Sequence, residues 1–177
     1  MFLVFVLVAS LSLKAQDMKF NLGVGGVLGS LSNSSGGDSK FGFGAEVQGT
    51  LSLTESIEGF AQTGYSSYSS NGISCGYIPF LVGAKYKVSN FKFGLGIGYG
   101  SISVASYSYT KDVPNAYGGY SNQTFNVPSQ SSSGFSFSPQ VGYKITDKLE
   151  ALAHFTSTSV TIGSYNIIGV KVFYTIL

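Results

Sequence analysis

His154 is the only histidine of the chain, and it is followed by Phe155, Thr156 and Ser157. An imidazole beside a hydroxyl is the minimum needed to activate an oxygen nucleophile for acyl transfer, but the base must itself be oriented by a third group. No Asp or Glu follows His154. The acid sharing its face under a two-residue period is Glu150. The expectation is an interior histidine, hydrogen-bonded to neighbours such as Glu150, and no enzyme.

Other spacings carry less chemistry. Cys75 is the single cysteine, so no internal disulfide forms, and it reads as an inert loop residue. Gly94, Gly96 and Gly98 alternate as in a nucleotide loop, but they fall inside a strand pattern with no helix following, which excludes a phosphate cradle. There is no Cys/His cluster for a transition metal, and Asp38 and Asp112 stand too far apart for a calcium site. No cofactor is expected. The ten basic residues are all lysines and net charge is only +2, which argues against nucleic acid. What remains is a set of charges suited to pairing with one another: Glu46, Glu58 and Glu150 with Lys85, Lys87, Lys92, Lys144 and Lys171.

The elements that carry these charges alternate strictly. Phe41, Phe43, Ala45, Val47, Gly49, Leu51 and Leu53 interleave with Gly42, Gly44, Glu46, Gln48, Thr50 and Ser52. That is a strand with one greasy face. The same pattern predicts strands over 18–29, 40–53, 57–68, 76–88, 91–106, 134–145, 149–157 and 165–177. Connections alternate between tight turns at 54–56, 89–90 and 146–148 and longer stretches at 30–39, 69–75, 107–133 and 157–164. Short connections at one end and long ones at the other are the pattern of a closed up-and-down sheet whose strands cross a bilayer. The fold class predicted is all-β, an eight-stranded antiparallel transmembrane barrel.

Sidedness follows from charge. Every charged strand residue, Lys19 included, falls on the polar register, whereas a lysine on the greasy side at mid-bilayer would cost about 2–4 kcal/mol. Charged residues make up only 10% of the chain, against about 25% in a typical soluble domain, so a water-facing wall is poorly supplied. Phe41, Phe135 and Phe137 toward the long connections, and Tyr86, Phe91 and Tyr143 toward the turns, would form two interfacial girdles. Residues 1–15 read as a signal peptide, an apolar run from Phe2 to Leu13 with a cleavage site after Ala15, leaving residues 16–177 as the barrel domain.

Ile78 to Gly100, with its Ile-Pro opening, Gly-Ala-Lys-Tyr stretch, two-residue turn and glycine-alternating return, resembles the recurring hairpin of the OmpA/OmpX-like outer-membrane barrel domain family. Phe135 to Leu152 is similar to that family's later hairpin. The resemblance implies an outer-membrane protein of a Gram-negative bacterium, exported, without a periplasmic domain, surrounded by outer-membrane lipid and lipopolysaccharide and inserted by the barrel assembly machinery. The chain departs from the family in ending on Leu177 rather than an aromatic. Its role is expected to be structural or surface-interacting, with a side-chain-filled lumen. Tyr107, Tyr109, Tyr117, Tyr120 and Phe125 in the longest loop, among Ser, Gly and Asn, would suit contact with an extracellular ligand or cell-surface partner; the plainer alternative is a solvated segment that folds over the barrel mouth or extends the hairpin as a β-ribbon. Two other readings stand beside it. One is a lipid A-modifying enzyme using His154, which requires that residue near the external rim with an adjacent acid. The other is a soluble secreted barrel around an apolar ligand, which requires charges facing outward across the wall.

Overall fold

A computed structural model describes residues 20–33, 39–70, 72–114, 119–161 and 163–176. The expected signal peptide, Lys19, Asp38 and Tyr117 lie outside the described residues. Ten strands are formed: β1 (Phe20–Asn33), β2 (Lys40–Ser52), β3 (Ile57–Ser70), β4 (Ile73–Val88), β5 (Phe91–Val104), β6 (Tyr107–Pro114), β7 (Tyr120–Val127), β8 (Gln130–Lys144), β9 (Leu149–Val160) and β10 (Gly163–Thr175). Eight of them close into an antiparallel barrel in the order β1-β10-β9-β8-β5-β4-β3-β2, while β6 and β7 pair only with each other. Chain neighbours are sheet neighbours everywhere except where β6 and β7 intervene between β5 and β8, and where β1 meets β10 to close the ring.

The expected sidedness holds. Val82, Leu95, Ile97, Val141, Val170 and Val172 are each more than two-fifths exposed on the outer wall, while Glu46, Glu58, Lys85 and Lys171 are almost wholly enclosed. No charged residue faces outward across the described wall of the barrel. Outward aromatics ring both ends, with Tyr86, Phe91, Tyr143 and Tyr174 at the turn end and Phe41, Tyr65, Tyr99 and Phe135 at the other. Phe91 and Tyr143 meet edge to face across β5 and β8, with centroids 5.1 Å apart.

Three expectations need correction. The connections at 69–75 and 157–164 are not loops, because pairing continues to Ser70↔Ile73 and Val160↔Gly163. Two residues separate the last pair of each hairpin, and at the first Gly72, with φ +77°, supplies left-handed backbone of the kind such a turn needs. The stretch at 107–133 is shorter than expected, since β5 and β8 pair up to Val104↔Gln130; within it Tyr107–Pro114 and Tyr120–Val127 pair as a β-ribbon, the hairpin extension that stood as the alternative. Nor is the inward register uniformly polar. Leu31, Phe60, Tyr68, Tyr77, Leu81, Ile102, Leu152, Ile167 and Phe173 are buried on it.

The longer ladders expose a boundary. Toward the ribbon end the outward positions change from apolar to serine on one strand after another: Ser67 and Ser69 on β3, Ser74 on β4, Ser101 and Ser103 on β5, Ser131 and Ser133 on β8, Ser157 and Ser159 on β9. Several face one another across strands, as in Ser101↔Ser133, Ser103↔Ser131 and Ser69↔Ser74. The apolar wall is therefore a band of limited height with a hydroxyl collar above it. This yields a test in which register is constant and only height varies. Val82→Lys and Ile97→Lys should each destabilise the barrel folded in phospholipid vesicles by about 2–4 kcal/mol, whereas Ser103→Lys should cost about 1 kcal/mol or less. Urea titrations of the three variants would measure the difference.

Candidate functional site: the lumen and the ribbon

Alternation places one side chain in two in the lumen, and eight strands leave an interior only wide enough for those side chains. The glycines of β5 make room for the larger ones. A Cβ at Gly94 would crowd the stems of Lys85 and Gln140, at Gly96 the ring of Phe60, and at Gly100 Tyr77, Ser136 and Thr158. Long residues of one strand thus fill the space that glycine leaves on another.

In the half nearer the turns the filling is ionic. Lys171 Nζ donates to both oxygens of Glu46, at 3.0 and 2.8 Å, and this pair is almost completely enclosed. A second group links four strands. Lys85 Nζ lies 2.8 Å from Glu150 Oε1, and Lys92 bridges Glu150 at 2.5 Å and Glu58 at 3.3 Å. Lys87 completes it, 3.2 Å from Glu58. Neutral groups extend the network: Lys85 Nζ also donates to Gln48 Oε1 at 2.8 Å, and Gln48 Nε2 donates to Gln62 Oε1. The Lys85 ammonium stands 5.5 Å from the centre of the Phe60 ring, within cation–π range. Seven of the eight charged residues expected in the lumen network are brought together here. Lys144 is not. It stands at the mouth and pairs with exposed Asp147 in the turn, at 2.7 Å, because a turn carboxylate three residues on is nearer than any lumen acid.

Toward the ribbon the filling becomes apolar. Leu31, Tyr68, Cys75, Tyr77, Ile102 and Ile167 form one buried cluster, with Val104 and Tyr165 packed against it. Cys75 is therefore a lumen-facing strand residue within this layer, not a loop residue. Parity places most of this cluster inward, but Leu31 and Cys75 fall in serine-rich stretches whose composition resembles connections.

Between the two layers stands His154, buried on β9. Its Nδ1 is 3.1 Å from Thr156 Oγ1, which in turn is 2.8 Å from Ser138 Oγ. The expected bond to Glu150 is not made, because four residues along a strand put the two about 13 Å apart, and Glu150 turns instead to Lys85 and Lys92. The Gln140 amide, directly across the β8–β9 ladder, and His154 Nε2 have no hydrogen-bond partner among the described residues. His154 thus lies in the closed interior rather than at a rim, and no carboxylate orients it.

The ribbon has two unlike faces. Tyr109 and Phe125 are direct cross-strand partners and stack with centroids 5.4 Å apart, with Tyr107 on the same face. The other face carries a polar ladder, in which Ser108 Oγ donates to Asn126 Oδ1 at 2.7 Å and the Thr110 and Thr124 hydroxyls lie 3.4 Å apart. Tyr120 falls on this second face, opposite Pro114, so the expected aromatic group is divided between the two sides.

Solved structures share this architecture. Ail, the attachment invasion locus protein of Yersinia pestis, superposes with a TM-score of 0.61 at 8% identity, covering 89% of this chain and 97% of its own. The N-terminal β-barrel domain of Pseudomonas aeruginosa OprF gives 0.53 at 12%, covering 89% and 100%. Neisserial surface protein A gives 0.52 at 16%, covering 90% and 99%. The fold is that of the small outer-membrane β-barrels. No family model matches the sequence, and no curated protein matches it.

In a small barrel of this kind a broken interior ion pair has no solvent to recover it. Lys171→Met should destabilise the protein by about 3–5 kcal/mol, because it strands a buried carboxylate, and adding Glu46→Leu should recover most of the loss. Equilibrium unfolding of the single and double variants in vesicles would measure both effects.

Proposed function

We propose that this protein is an integral outer-membrane barrel of a Gram-negative cell, with its turns in the periplasm and its ribbon outside, serving envelope structure and surface contact rather than catalysis or transport. The observation that carries the reading is the outer wall: uncharged and apolar over a band, ringed by aromatics, and bordered by serine on the ribbon side. A soluble barrel needs outward charge for its solubility, and this wall carries none in the described strands. The apolar run at residues 2–13, read as an export signal, agrees with a secreted precursor.

The closed lumen argues against a porin role. Ions crossing it would have to displace the Lys85–Glu150–Lys92–Glu58 network and then the apolar layer beyond it. The enzyme reading loses its nucleophile–base–acid set, since His154 is enclosed and bonded only to Thr156. The surface that remains is the ribbon. A Tyr/Phe face backed by a Ser/Thr/Asn ladder offers rigid aromatic contact together with adaptable hydrogen bonding.

Two measurements test this. Purified protein in planar bilayers should give no sustained single-channel current, and large stable conductance would overturn the closed lumen. Replacing residues 109–125 by Asn-Gly should leave a barrel that still shifts on unheated gels, because the ribbon pairs with no barrel strand. Cells displaying the intact protein should adhere to host or bacterial surfaces, and cells displaying that variant should not. If adhesion survives the deletion, the ribbon is not the contact surface.

A further inference from the structure

At the ribbon end the inward register does not close flush with the rim. Leu31, Lys40, Cys75, Val104 and Tyr165, from five barrel strands, line a cup of about 330 Å³ with Tyr107 at the root of the ribbon on its edge. Its floor is the buried apolar layer to which Leu31 and Cys75 belong, and Asn33, Val127 and Gln130 also stand among its described lining. The volume lies at the small end of the range for small-molecule sites, about 300–1,000 Å³.

The charge inside the cup is the informative part. Among the described residues Lys85, Lys87, Lys92, Lys144 and Lys171 all form ion pairs on the inward register, whereas Lys40, also inward, forms none. Among the described residues the lining holds this one cation and no carboxylate. A single ammonium above an apolar floor complements a molecule of matching polarity, one monovalent anion on a medium-length apolar chain. One ammonium balances the charge of a carboxylate and not that of a dianionic phosphate, and a neutral chain would leave the half-buried Lys40 ammonium to water alone.

We infer that the cup binds a small amphiphile composed of one carboxylate and a medium-length apolar chain, the carboxylate on Lys40 Nζ and the chain against Leu31, Cys75 and Val104. With the ribbon outside the cell, as proposed above, the site takes its ligand from the exterior, and it adjoins the aromatic face of the ribbon through Tyr107.

The chain contains no tryptophan, so a single Tyr107→Trp substitution places one fluorescent reporter at the cup, and Tyr120→Trp places a reference on the far part of the ribbon. Both variants, in phosphatidylcholine vesicles, would be titrated with ω-bromoundecanoate and with ω-bromoundecanol as quenchers. The carboxylate should quench the Tyr107→Trp reporter saturably and the Tyr120→Trp reporter only in proportion to bulk concentration. Adding Lys40→Gln should weaken binding by roughly fivefold or more, and Lys40→Arg should retain it. Calorimetry of undecanoate with the unmodified protein should return a comparable Kd, which guards against a reporter that itself blocks the cup. Equal affinity for the alcohol and the carboxylate, an unchanged Kd in Lys40→Gln, or no saturable signal by either method overturns the proposal.

Discussion

The narrowness of an eight-stranded ring governs nearly everything inside this protein. Its interior accepts side chains and little else, so each inward residue is chosen against those on the strands facing it. Phe60 lies where Gly83 and Gly96 leave room, and Lys85 passes Gly94. Charges confined there are largely cut off from water, and they persist only by pairing. Packing and electrostatics are the same constraint read twice.

The pairs do more than neutralise. Lys171 on β10 and Glu46 on β2 are not on adjacent strands, since β1 lies between them. Their contact can form only when β1 is seated against both, so it reports closure of the ring at the seam between the two ends of the chain. Buried ion pairs contribute little net stability, yet in some systems they specify a unique arrangement. Here the arrangement specified is the register of the pairing farthest apart in sequence. The second group, from Lys87 through Glu58, Lys92 and Glu150 to Lys85, ties β3, β4, β5 and β9 in the same way.

Most of this architecture was legible from period and charge. Phe41 to Leu53 and Ile78 to Val88 announce strands, and the confinement of charge to one register announces which side is enclosed. The limits have physical causes. Serine has weak strand preference, so Ser69, Ser74, Ser157 and Ser159 looked like loop, although Asn71-Gly72 was a hairpin signal within reach. Phe60, Tyr77 and Ile102 sit on the enclosed register because a lumen needs volume as well as polarity, and alternation reports only the contrast between faces. The engagement of Lys144 by Asp147 rather than by a lumen acid depends on where the strand meets its turn. Periodicity is silent about that. The division of the ribbon aromatics required a register that no turn signal in residues 107–133 supplied.

The serine border also sets a length. On β5 the apolar stretch runs from Phe91 to Tyr99 before Ser101 begins. About nine residues rising roughly 3.3 Å each and tilted by about 35–45° span some 21–24 Å. A typical hydrocarbon core is about 30 Å thick, and the bacterial outer membrane is thinner than average. The span on β5 is close to the apolar band of about 25 Å that outer-membrane barrels present, so a wall of this height would seat in such a bilayer with little mismatch. The border is not level, however: on β4 the outward apolar residues continue to Ile78, directly opposite Ser101 of β5. Lipid around the barrel would therefore meet a stepped rim, and its headgroups would sit deeper along β5 than along β4.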